Sequence, residues 1–237
     1  MGSQPGMRNR KEIERTAGQL SEADAVMVTP GILRYCIDLF ARRDAPTLMM
    51  LLDWQNISRD ASQLGYKEGA ATLLGSLERA AASGVDGVMT YLYLGYEDPK
   101  QEAEEIRRNV EVREACERLG LVHMIESRAV RSETLPDGSY DPDLVQLHAR
   151  MACEIGADFV KVKYTGSVDS FRQVTSNCPC PVLIAGGRMT DDLTDAPRLA
   201  QDAVSANAGG IVFGRNIYQR SDPKRALAEF RRVVHGE

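Results

Sequence analysis

DFVKVKYTG, Asp158 to Gly166, reads as a buried strand, yet it carries two lysines, Lys161 and Lys163. Two-residue alternation puts Phe159, Lys161 and Lys163 on one face, with Val160 and Val162 on the other. An ammonium inside a core is costly unless it is paired or gives up its proton. Turned into a closed sheet, desolvated and beside a second cation, such a lysine becomes a free amine able to attack a carbonyl as a Schiff-base nucleophile. Turned outward, it snorkels between helices or pairs with a carboxylate. Periodicity alone leaves both orientations open.

On either side of this strand, short apolar runs alternate with longer amphipathic ones. Strands are expected at 23–30, 47–54, 87–95, 121–127, 158–165, 181–187 and 209–215. Helices are expected at 11–21, 31–43, 68–84, 99–119, 141–156, 167–177, 194–206 and 222–234. Strict alternation of apolar strands with helices indicates a parallel sheet covered on both faces. Its natural closed form is an α/β barrel of the TIM (β/α)8 type. An open doubly wound sheet is the second choice, although no GxGxxG follows the first strand. The count lacks one barrel strand, expected before residue 11, so the first strand is missing or rearranged. No Pro/Gly/Ser-rich linker divides the 237 residues, which read as a single barrel domain over 1–237 whose residues 1–10 are expected to be disordered.

Bulk properties exclude several classes. Net charge is -5 and no basic stripe runs through the chain, which argues against nucleic acid as partner. No apolar run reaches the ~18 residues of a membrane span, and the N-terminus has no apolar signal core. Cys36, Cys116, Cys153, Cys178 and Cys180 form no CxxC pair. Cys178-Pro179-Cys180 is too tight and too isolated in sequence for a zinc site, so these read as core thiols of a reducing cytoplasm.

Barrel active sites lie where the strands end. Gly186-Gly187 and Gly214-Arg215 close the last two strands. Glycines let backbone N–H groups approach an anion and a guanidinium grips phosphate oxygens, so these positions suit a phosphate better than plain turns. Glu126, ending LVHMIES, can act as general acid or base if burial raises its pKa, or can simply pair with Arg128 or a lysine. Asp53 either binds substrate hydroxyls or caps the next helix. His123 has the opposite parity and packs outward. Tyr91, Tyr93 and Tyr96 crowd one strand end and read as core and rim, with Tyr93 the one that can face the site.

From about Ala23 onward the chain resembles the archaeal-type class I fructose-bisphosphate aldolases. Their relatives, the 2-amino-3,7-dideoxy-heptulosonate synthases and the phospho-autoinducer-2 thiolase, share the likeness. It is carried by ADAVMVTPGILR, GADFVKVKYTG, CPVLIAGG and GIVFGRNIYQRSDP. The resemblance implies a barrel whose lysine, here Lys161, forms a Schiff base with a ketose phosphate. It also implies a phosphate site at Gly186, Gly187, Gly214 and Arg215. The family's first strand, which ends in an aspartate-containing segment, has no counterpart here. Its strand-five Tyr-Pro-Arg-Gly motif corresponds to Glu126-Ser127-Arg128-Ala129.

The expected function is therefore a Schiff-base aldolase acting on a phosphorylated ketose or ketone. Lys161 is the nucleophile, Lys163 its electrostatic support and Glu126 the proton carrier, with Tyr164 or Asp53 assisting. No cofactor or metal is expected, because the iminium is itself the electron sink. The partner is a phosphorylated small molecule, the enzyme a cytoplasmic homo-oligomer. An acyl-transferring thiolase on a diketone phosphate and a non-catalytic sugar-phosphate-binding paralogue stay open.

Overall fold

A computed structural model describes residues 5–57, 69–130, 140–187 and 195–236. Seven parallel strands form one sheet: β1 (Ala25–Val28), β2 (Thr47–Leu51), β5 (Gly87–Leu94), β6 (Val122–Ala129), β7 (Phe159–Val162), β8 (Val182–Ala185) and β9 (Gly210–Val212). They pair in that order, each with the next in the chain, as successive βα units of a TIM-type barrel do. All seven expected strands are present. Among the described residues no strand precedes β1, and β1 and β9 are the two ends of the sheet.

The helices are α1 (Arg10–Gln19), α2 (Pro30–Leu33), α3 (Leu77–Ala82), α4 (Pro99–Leu119), α5 (Pro142–Ile155), α6 (Val168–Ser176), α7 (Asp195–Ser205), α8 (Arg215–Tyr218) and α9 (Pro223–His235). Their limits follow local chemistry. Asp98 caps α4 at the Lys100 N–H, Pro99 opens it, and Gly120 at φ 68° ends it in the left-handed conformation glycine favours. The chain before α1 packs too: Thr16 donates to the Gly6 carbonyl at 2.8 Å, and Asn9 caps the helix.

Two expected helices are shorter than their periodicity suggested. In 31–43 only Leu33 and Cys36 are buried, too few to hold a long helix. The segment forms α2 and a single 3₁₀ turn at Ile37–Leu39. In 68–84 the chain first forms β4 (Ala71–Leu73), antiparallel to β3 (Asp53–Gln55), with Trp54 opposite Thr72. The helix begins only after Ser76, whose side chain caps Arg79 N–H. The part of that expectation before Gly69 lies outside the described residues.

Helix α9 spans the gap between β9 and β1. Its Arg231 and His235 reach Asp24, just ahead of β1, at 2.7 and 3.1 Å. Phe230 and Leu227 pack there with Ile217, and Leu20 and Ala23 join them from the chain after α1. The two ends of the sheet are thus tied by a helix, where a closed barrel would have a strand.

The sheet has two apolar faces, as a layer covered on both sides must. Leu48, Met50, Leu52, Val88, Ile125, Val160, Val162, Val182 and Ile184 meet the helices. The inner face is lined by Met49, Met89, Met124 and Leu183, with Met27, Tyr91 and Phe159 around them. Flexible thioethers fill an irregular interior well. Gly87 sits between Met49 and Val122: a Cβ there would come within 2.6 Å of the Val122 carbonyl and 2.8 Å of Met49 Sδ. Gly87→Ala is therefore expected to cost about 1–3 kcal/mol through overpacking. A urea titration with an unchanged midpoint would show that the interior has room to spare.

Candidate active site

Register brings three polar side chains into one row on the inner face. Tyr91 of β5 is opposite Glu126 of β6, and Glu126 is opposite Lys161 of β7. Val160 and Val162 point to the helices and are fully buried, so Lys161 points inward. The orientation left open by periodicity is settled by the neighbours: Phe159 and Met89 share the lysine's side of the sheet.

Glu126 is completely buried, and its two oxygens have separate partners. Arg128 grips Oε1 through both Nε, at 2.6 Å, and a terminal nitrogen. Lys161 Nζ lies 2.7 Å from Oε2 as a close ion pair whose alignment is not that of a hydrogen bond. The lysine also reaches Met89 Sδ at 4.0 Å, and its side chain is 12% exposed. Burial alone would push the Glu126 carboxyl up, as the sequence suggested. Instead Arg128, and then Lys161, outweigh burial and hold it at about 2. The charged partner of Lys161 is thus a carboxylate. Lys163, expected as the supporting cation, places its ammonium 4.0 Å above the Tyr140 ring.

Tyr91 is the phenol that meets this row. Burial, reinforced by the Glu126 carboxylate, raises its pKa well above the ordinary tyrosine value. Tyr93, which the sequence allowed to face the site, stacks on it at 5.5 Å between ring centres. The two tyrosines are two residues apart and share the inward parity, Tyr91 opposite Glu126 and Tyr93 opposite Arg128. Tyr164 turns away: its hydroxyl donates to Asp202 at 3.3 Å and its ring packs on Phe171.

Asp53 is 1% exposed and occupied within the protein. Its Oδ2 accepts from Tyr91 N–H at 2.5 Å, and its Oδ1 pairs with Arg108 of α4 at 2.5 Å. Burial pushes its carboxyl up to about 6, against the pull of Arg108. Arg108 also donates to the Tyr91 carbonyl at 2.8 Å and to Glu105 at 2.7 Å. Asp53 thus clamps the β5 main chain at Tyr91, a role that neither hydroxyl binding nor helix capping anticipated. His123 faces the helices as expected, fully buried, with Nε2 2.8 Å from Thr90 Oγ1. Burial lowers its pKa to about 4.

The glycine-marked ends of β8 and β9 lie side by side. Gly187 has φ +66°, which favours glycine, and a Cβ on Gly186 would meet the Phe213 ring at 2.7 Å. Gly214 leads into α8, which opens with Arg215. Buried Asn216 donates to the Gly186 carbonyl at 2.7 Å and joins the two loops. Arg215 makes no ion pair with any described carboxylate. The sequence reading passed over Asn216, and its only cue was a short amide next to a glycine-arginine pair.

The family aldolase profile of the DeoC/LacD group matches residues 7–220. The chain belongs to the DeoC/LacD aldolase family. An uncharacterized aldolase of Saccharolobus solfataricus is 32% identical over 235 residues, covering 99% of this chain and 85% of that one. The 2-amino-3,7-dideoxy-D-threo-hept-6-ulosonate synthase 1 of Archaeoglobus fulgidus is 28% identical over 229 residues, covering 95% and 80%. A solved archaeal fructose-1,6-bisphosphate aldolase, with its catalytic Lys covalently bound to the carbinolamine intermediate, is 24% identical with TM-score 0.81. That likeness covers 96% of this chain and 84% of the other, and it establishes the barrel fold.

The charge row makes a stability prediction for this aldolase-family chain. The folded pKa of Glu126, about 2, lies below the reference 4.5, so its contribution is present above about pH 4.5. That contribution is lost as pH falls through about 2. Glu126→Gln leaves two half-buried cations without their counter-ion and is expected to destabilise the fold by about 3 kcal/mol at pH 7. It should also flatten the acid limb of a stability–pH profile. Equal denaturation midpoints for variant and parent at pH 7 would contradict this.

Proposed function

We propose that this chain is a class I aldolase in which Lys161 is the Schiff-base nucleophile, acting on a phosphorylated ketose or a related ketone phosphate. The carrying observation is the inward-facing Lys161 with its ammonium 2.7 Å from a buried carboxylate whose other oxygen is fixed by Arg128. The family supplies the aldol reaction class, and the archaeal aldolase of the same fold carries its intermediate on a lysine.

In the cleavage direction, Lys161 passes a proton to Glu126 Oε2, and the amine lone pair attacks the ketone carbon to give a carbinolamine. Water leaves and an iminium forms. A base removes the proton of the hydroxyl β to the iminium carbon. The C–C electron pair then flows into the iminium, giving an enamine and releasing an aldehyde. Protonation of the enamine and hydrolysis of the new iminium return the amine.

Glu126 is the proton carrier in this scheme. Only Oε2 faces the amine, because Arg128 occupies Oε1. Once the lysine nitrogen is a neutral carbinolamine, one of the two cations that keep Glu126 ionised is gone, and the carboxylate becomes a better proton acceptor. Tyr91, with its phenol kept protonated, is a second donor in the same row. Lys163 supports the field of the site, and Asp53 acts as a positioning residue through the Tyr91 main chain.

Gly186, Gly187, Gly214 and Arg215 bind the substrate phosphate in this reading. Arg215 has no competing described carboxylate, and the glycines bring backbone close to an anion. Among the described residues no helix is long and apolar enough to cross a membrane. With five free cysteines, the reading extends to a cytoplasmic enzyme. The two sheet ends, β1 and β9, have no further strand partner among the described residues, and a homo-oligomer is the assembly we favour because such edges invite pairing.

Steady-state cleavage of fructose 1,6-bisphosphate and related ketose phosphates tests the scheme. Lys161→Arg keeps the ion pair but should abolish turnover. Glu126→Gln should lower kcat by roughly 10²–10⁴-fold, the usual contribution of a positioned acid–base group. Retention of parental kcat by Lys161→Arg would remove the Schiff base from the account.

A further inference from the structure

Sequence spacing isolates Cys178 and Cys180 from the other thiols, but the fold does not. Barrel helices run back against the strands, so α5 and α6 both end on the side where strands begin. Cys153 lies in the last turn of α5, and Cys178 follows α6 on the approach to β8. The three sulfurs of Cys153, Cys178 and Cys180 all lie within 4.8 Å of one another. Cys178 and Cys180 Sγ are 3.7 Å apart.

The spacing suits coordination better than packing. Thiols are weak hydrogen-bonding groups, so three in mutual contact gain little from one another. A tetrahedral cation with M–S bonds of about 2.3 Å sets its sulfurs roughly 3.8 Å apart, close to the Cys178–Cys180 separation. Pro179 fixes the backbone between these two ligands and limits the reorganisation needed to bring both to one ion. The third sulfur comes from a capped helix in a separate element, so the set is built by the fold. Cys153 and Cys180 are partly exposed, which leaves a route for an ion and room for a fourth ligand from solvent. Cys36 and Cys116 are single buried thiols that belong to no such group.

We propose that Cys153, Cys178 and Cys180 form a three-thiolate site for a soft closed-shell cation, Zn(II) or Cu(I) being the ions whose ligand preferences it meets. The site sits where β8 begins, whereas Lys161 lies toward the opposite end of its strand. It therefore serves the fold: a bound ion staples α5 to the β8 approach. Binding releases the thiol protons, because thiolate is the ligand form.

The reduced, metal-free full-length protein is titrated with Zn(II), and separately with Cu(I), under anaerobic conditions. A competing chromophoric chelator reads affinity, and a Co(II) titration reads thiolate charge-transfer absorption in the near ultraviolet. One ion per chain is expected, with a raised melting temperature by mass action. Cys153→Ser and Cys180→Ser should each weaken uptake by more than about 100-fold, beyond what loss of an outer partner costs. Cys36→Ala should bind as the parent does. Alkylation footprinting of the unaltered protein supplies a readout independent of variant folding: bound Zn(II) should protect Cys153, Cys178 and Cys180 together. No stoichiometric uptake by the reduced protein, unprotected thiols at saturating Zn(II), or parental affinity in both serine variants overturns the proposal.

Discussion

A carboxylate with no exposed surface, held between a guanidinium and an ammonium, is the constraint around which the site is organised. Burying Glu126 alone would be prohibitive, and pairing it with a single cation would leave half its lone pairs unmet. Arg128 takes one oxygen and leaves the other to Lys161. The arrangement requires three strands in fixed register, since a slip of one residue would send Glu126 or Lys161 to the helix side. The same geometry that satisfies the charges aims the amine into the interior.

The surrounding structure keeps that register. Asp53, Glu105, Arg108 and Asn109 hold the β5 main chain on both sides of Tyr91 and at Tyr93 N–H. This network lies behind the sheet, so it fixes the tyrosine's position without entering the site. Methionines line the interior below the charged row and keep it apolar. An ion pair in such surroundings is less screened than one at the surface. At the far side of the sheet, α9 ties β9 to Asp24 ahead of β1.

Much of this was legible in the residues. The order of seven strands followed from apolar runs, because parallel strands covered on both faces leave continuous hydrophobic segments. Lys161 stood out because a lysine bracketed by valines needs a reason, and Glu126 because it ended its strand on the inward parity. The charge state of Glu126 was not legible. It depends on two cations reaching one carboxylate, one of them on a neighbouring strand. Asp53 was misread for a similar reason: its partners Arg108 and Tyr91 lie 55 and 38 residues away. Lys163 shares the parity of Lys161 on paper, but β7 ends at Val162, and beyond the strand alternation no longer dictates direction.

Reductive trapping followed by peptide mapping addresses the central claim most directly. The protein is incubated with a ketose phosphate and borohydride, digested, and the modified lysine identified by mass spectrometry. The account predicts one reduced adduct per chain, on Lys161, with Lys163 unmodified. Turnover of the same substrate with no trapped lysine, or with the adduct on Lys163, would contradict it.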